Sequence, residues 1–217
     1  MKENSVKTIN KYLLIAIRIS LIIAVFIEVY EKRWFTLFIT FLTIVLTFLP
    51  FLLERKYKID IPESFEILMV LFIYAALYLG EVQKFYLKFW WWDIFLHFWA
   101  AMALGMIGLT ILFIIYKKRK IKAKPIWILL FAFSFAVSIG VIWEIFEFSM
   151  DLIFKTNMQK SMLGDTSGLT DTMIDLIMDS LGALISATIG YFYIKKKKKG
   201  YFTGTMEKFL SELQKNQ

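Results

Sequence analysis

The chain has 217 residues, 59% of them hydrophobic and 18% aromatic, with a mean hydropathy of +0.61 and a formal net charge of +8. Soluble domains stand at about 45–50% apolar, so this is a membrane composition. The absence of cysteine excludes disulfides, thiolate nucleophiles and Cys-ligated metals.

The N-terminus, "MKENSVKTINKYLLIAIRIS", is basic and then apolar. No small-residue cleavage site follows, so it reads as an uncleaved first span. A helix needs about 20 apolar residues to cross the hydrocarbon. In chain order the predicted spans are Tyr12–Tyr30, Trp34–Leu53, Pro62–Gly80, Phe89–Tyr116, Pro125–Phe154 and Asp171–Ile194. Pro62 and Pro125 stand at helix starts, where a missing N–H costs nothing, and Pro50 stands near the end of the second span. The predicted fold class is an all-α, six-helix polytopic membrane protein. Residues 1–199 form one transmembrane domain and residues 200–217 a cytoplasmic amphipathic tail carrying Phe202, Met206, Phe209, Leu210 and Leu213 at helical spacing.

Direction follows from the basic residues. Nineteen of the 26 fall in the two termini and the loops on their side of the bilayer; six fall in the other loops, and Arg18 lies within a span. The expected protein is therefore a multi-pass cell-membrane protein with both termini cytoplasmic. The basic runs flank spans, which argues against nucleic acid as a partner. The Lys195–Lys199 run is expected to bind anionic lipid, at about 1 kcal/mol per Lys near the surface. The Trp90–Trp92 run is expected to form an interfacial belt.

Within this topology the acids of the last three spans fall on the outer side. "DIFLH" places Asp93 and His97 at i, i+4; "EIFEFSMD" places Glu144, Glu147 and Asp151 at i, i+3, i+7; "DTMIDLIMD" places Asp171, Asp175 and Asp179 at i, i+4, i+8. Each set makes one stripe on one helix face. Each stripe continues inward as small residues: Ala101, Gly105 and Gly108; Gly140 and Ala136; Gly182, Ser186 and Gly190. Small residues let membrane helices approach closely. The expectation is a shared polar site in the outer half, closed beneath by tight packing. At about 1.5 Å of rise per residue, Asp179 lies about 12 Å deeper than Asp171.

Seven acids then surround the only histidine of the chain. A charge at the centre of a membrane helix costs about 2.5–3.5 kcal/mol. Some carboxylates must be protonated, cations must sit among them, or a hydrated cavity must open outwards. Carboxylates with one imidazole suit a divalent ion such as Mg, Mn or Zn, with Asp93, His97, Glu144, Glu147, Asp171, Asp175 and Asp179 as candidate ligands. Plainer readings stand beside this one. His97 could simply hydrogen-bond Asp93, Asp171 could be an N-cap, and Asp151 could be solvated. Glu28 and Glu81 read as interfacial, and Arg18 as snorkelling to the inner face or pairing with the acids. The "GDTSGLTD" loop reads as a roof over the acidic site. No P-loop, nucleophile elbow, dinucleotide fingerprint or H-E-x-x-H is present.

The motifs "DIFLH", "EIFE" and "GDTSGLTDTMIDLIMDSLGA" resemble those of the YjdF-type family of predicted inner-membrane proteins, with a looser likeness to VanZ-like proteins. The resemblance covers the second half of the chain. It implies site roles for Asp93, His97, Glu144, Glu147, Asp165, Asp171, Thr172, Asp175 and Gly182, and it implies no reaction. Asp179 departs from the family's pattern, in which an apolar or amide residue is common at that position.

Two functional classes follow. One is a divalent-cation-dependent membrane enzyme acting on a lipid or lipid-linked group, with Asp93, His97, Glu144, Glu147, Asp171 and Asp175 as candidate catalytic residues. The other is a cation- or proton-coupled transporter or channel. A transporter needs polar residues through to the cytoplasmic face, whereas here the stripes turn to Gly, Ala and Ser, which favours the enzyme. A non-catalytic assembly or immunity-type protein with structural acids is a third class.

Overall fold

The computed structural model describes residues 2–57, 61, 63–119 and 124–195. Pro62, Lys196–Lys199 and the tail from residue 200 lie outside them. Among the described residues the regular structure is helical, apart from one isolated bridge between Met162 and Asp165. Six stretches are long and apolar enough to cross a membrane: Thr8–Tyr30, Trp34–Lys56, Phe65–Val82, Trp92–Leu112, Pro125–Phe154 and Leu169–Phe192. The chain divides into two compact units, one up to Lys88 and one from Phe89.

The first unit holds α1 (Lys2–Tyr30), α2 (Trp34–Leu46), α3 (Leu49–Tyr57), α4 (Glu63–Ile73), a π-helix (Tyr74–Val82) and α5 (Phe85–Lys88). Ile17, Leu21 and Val70 form its core, with Leu14, Ile44, Tyr74 and Tyr78 packed against them. The second predicted span is broken between α2 and α3. Pro50 has no N–H to give the carbonyl of Leu46, and its ring crowds that carbonyl. Arg18 fills the break. Its Nη2 donates to the carbonyl of Thr47 at 3.0 Å, and its guanidinium lies 4.2 Å from the Phe48 ring centroid. Arg18 thus finds a buried backbone acceptor within its own unit, a partner that neither reading of its sequence position named.

Glu28 also differs from expectation. It is 1% exposed rather than interfacial, because Thr40 on α2 faces it and donates to Oε1 at 3.0 Å. The π-helix replaces the last turns of the third span. Gln83 N–H donates to the carbonyl of Tyr78, five residues back, at 2.9 Å, and Gln83 Nε2 to the Tyr78 hydroxyl at 3.1 Å.

The second unit is α6 (Trp92–Arg119), α7 (Pro125–Phe154) and α8 (Leu169–Lys195). Pro125 opens α7 as expected, and Lys155 closes it in a left-handed conformation (φ 55°, ψ 38°). α6 begins three residues later than predicted. Phe89–Trp91 form a turn closed by Trp92 N–H on the carbonyl of Phe89, with the rings packed on one another. Trp90 and Trp91 are exposed.

α6 and α8 run parallel in register. A Cβ placed on Gly182 meets Phe98, Ala101 and Met102; on Gly105 it meets Ser186; on Gly190 it meets Leu109. Each four-residue step along α8 thus matches one along α6, which is the 3.6-residue period of both helices written in glycine, alanine and serine. α7 runs the other way, with Gly140 against Asp179 and Ala132 against Gly108.

Candidate functional site

The three acidic stripes meet at the end of the second unit that carries the 155–168 connection. Asp93, His97, Glu144, Glu147, Asp171, Asp175 and Asp179 are all buried, between 0 and 8% exposed. Ligand atoms of Asp93, His97 and Asp175 lie within 4.8 Å of one another. The His97 ring stands at the centre. Nε2 is 3.7 Å from Asp93 Oδ1 and 3.7 Å from Glu144 Oε1, while Nδ1 is 3.4 Å from Asp179 Oδ1.

Four members carry carboxylate oxygens without a hydrogen-bond partner: both of Glu144, both of Asp175, Oε2 of Glu147 and Oδ1 of Asp171. Glu147 is held from outside by Trp143, whose Nε1 donates to Oε1 at 3.0 Å. A desolvated carboxylate oxygen left unpaired is costly, and the Asp93, His97 and Asp175 group could hold a metal ion that offsets that cost. The fit to a metal therefore rests on oxygens the fold buries and leaves unpaired.

The connection above the cluster is built on two acids. Asp151 accepts from Thr156 Oγ1 at 2.5 Å, Met158 N–H at 2.7 Å and Gln159 N–H at 2.9 Å. Asp171 accepts from Lys160 N–H at 2.6 Å through Oδ2. Gln159 Nε2 donates to the Thr172 hydroxyl at 2.7 Å. Asp151 therefore leaves the stripe and ties the loop, since three donors within eight residues outbid a buried neighbour of like charge. It is neither freely solvated nor a member of the cluster.

Asp171 is likewise not an N-cap. It stands two residues inside α8, and Asp165 caps the helix instead, accepting from Ser167 N–H at 2.8 Å and Thr170 N–H at 2.9 Å. These bonds hold the Asp165 carboxyl well below the ordinary carboxylate range. Its position is legible in "GDTSGLT", where an acid precedes a glycine and a helix start. On the side away from the loop the cluster is sealed: a Cβ on Gly140 would overlap the Asp179 carboxylate, and one on Gly182 would overlap the carbonyl of Phe98.

A sequence profile described as "Predicted membrane protein (DUF2238)" matches residues 10–196. An uncharacterized protein of Thermotoga maritima is 35% identical over 156 residues, which cover 71% of this chain and 74% of that one. No solved structure matches. Neither finding carries the YjdF name, and nothing in them supports the VanZ likeness.

Proposed function

The chain belongs to the DUF2238 family of predicted membrane proteins, and we propose that its buried Asp/His cluster is the divalent-cation site of a membrane enzyme acting on a lipid or lipid-linked group. The observation that carries this reading is the set of buried, unpartnered oxygens on Glu144, Glu147, Asp171 and Asp175, with Glu144 at 3.7 Å and Asp175 within 4.8 Å of His97. Asp93, His97 and Asp175 are the residues that would hold the ion. A bound divalent ion supplies Lewis acidity, polarising a phosphoryl or carbonyl oxygen or lowering the pKa of water. Glu144 and Glu147 stand beside that position with free carboxylate oxygens and serve to orient or accept a proton from water. Trp143 holds Glu147 in that orientation.

The glycine contacts beneath the cluster support a one-sided site over a through-path, which favours the enzyme over the transporter. Elemental analysis of protein purified without chelator tests the ion. Mass spectrometry of native lipid extract in nanodiscs, incubated with wild type and Asp175→Asn, tests the reaction. Copurifying metal with a lipid species altered by wild type alone is the expected result. Cation or proton flux in proteoliposomes with unchanged lipid would move the same residues to a transport role.

The site is proposed to open on the outer face, on the strength of the basic-residue asymmetry. Single cysteines at Lys118 and Lys160 of this cysteine-free chain should label from opposite sides of the membrane. Labelling of both by an impermeant reagent in intact cells rejects that orientation.

A further inference from the structure

The seven buried polar residues of the cluster are not equivalent. Glu144, Glu147, Asp171 and Asp175 each keep an oxygen without a partner, and Asp175 is fully buried with both oxygens unpaired. Asp179 keeps none. It lies against the Nδ1 edge of His97, at 3.4 Å from Oδ1 and 3.5 Å from Oδ2, on the opposite side of the ring from Asp93 and Glu144. Its other flank is closed by Gly140, where a Cβ would strike the carboxylate. Asp179 is thus wedged between a glycine and one ring nitrogen. The other ring nitrogen faces two carboxylates at 3.7 Å, longer than a hydrogen bond and close to the spacing of two ligand atoms sharing one ion.

We propose that Asp179 is a positioning residue that keeps the His97 proton on Nδ1, and that the Nε2 lone pair so presented makes the centre select a borderline divalent ion (Zn²⁺, Fe²⁺ or Ni²⁺) over the hard ions Mg²⁺ and Ca²⁺. The inference rests on the cation reading above. The physical reason is the division of labour between the two nitrogens of a neutral imidazole: whichever one is hydrogen-bonded to a carboxylate carries the proton, and the other is free to ligate. An imidazole suits Zn²⁺, Fe²⁺ and Ni²⁺, whereas Mg²⁺ and Ca²⁺ prefer an all-oxygen shell. The inference also narrows the ligand set, because Asp179 leaves it.

His97 is the only histidine, so a ¹⁵N-histidine-labelled sample gives a single imidazole spectrum. In detergent with saturating Zn²⁺ the expected spectrum shows a protonated Nδ1 and a metal-bound Nε2. Thermal titrations should give a dissociation constant for Zn²⁺ at least about tenfold below that for Mg²⁺ or Ca²⁺. Asp179→Asn, which can offer Nδ1 an N–H in place of an acceptor, should shift the proton towards Nε2 and weaken Zn²⁺ binding about 10–100-fold. His97→Asp should erase the preference, because it makes the shell all oxygen.

A proton on Nε2, an imidazolium that persists at saturating Zn²⁺, or equal affinity for Mg²⁺ and Zn²⁺ overturns the inference while leaving a cation site standing. Failure of every ion to bind overturns the cation reading and this inference with it. If Asp179→Asn does not fold, the wild-type spectrum and the His97→Asp titration still decide.

Discussion

Added Zn²⁺ raises the unfolding temperature of the detergent-solubilised protein by about 5–10 °C, and the rise is lost in His97→Ala and Asp175→Asn. At a hundredfold excess over the dissociation constant, a ligand that binds only the folded state contributes about 2.7 kcal/mol. In a chain of this length each kcal/mol moves the midpoint by about 2–4 °C. The comparison without ion is equally informative. Asp175 is fully buried with neither oxygen paired, so its neutralisation removes a desolvated charge from among like charges. Asp175→Asn should therefore be at least as stable as wild type in chelator while showing no response to ion. A wild-type midpoint that ignores every divalent ion, with no copurifying metal, would instead mean carboxyls that share protons with one another.

Gly182→Ala should be the most damaging single-methyl insertion in the second unit, at about 3 kcal/mol or more. The added Cβ would overlap the carbonyl of Phe98 and crowd the amide of Met102, which are backbone atoms that yield only if the two helices part. Gly105→Ala is the control, since its Cβ meets the Ser186 hydroxyl, which a side-chain rotation moves aside. Parting α6 from α8 also draws His97 away from Asp175 and Asp179, so the ion response should fall along with the stability. Denaturant titration of the three proteins with and without Zn²⁺ measures both effects. Equal losses for Gly182→Ala and Gly105→Ala would show that the helices do not meet on this glycine.

The stripes were legible because their information is local: four-residue spacing on one helix puts Asp93 beside His97 and Asp171 beside Asp175 whatever the rest of the chain does. The glycines were legible for the same reason. Features that depend on a partner elsewhere in the sequence were not. Glu28 looked interfacial because nothing near it in sequence announces Thr40. Asp151 matched the stripe of α7 by spacing, yet the donors that claim it lie on the following loop. Arg18 and Thr47 are 29 residues apart. The break before Pro50 was half legible, since the proline marks where the helix fails but not what fills the gap. The π-helix at Tyr74–Val82 left no sign in the apolar pattern, because one extra residue per turn still presents apolar side chains to apolar surroundings.

The connection over the cluster is held at Met158, Gln159 and Lys160 by main-chain N–H groups, while Asp151 and Asp171 supply the acceptors from the flanking helices. Every residue except proline owns such an N–H. The two ends of these bonds therefore respond differently to substitution. A changed side chain at Met158 leaves its main-chain bond to Asp151 in place, whereas a changed Asp151 or Asp171 removes the acceptor itself, and Thr156 and Gln159 add side-chain bonds of their own to the flanking helices.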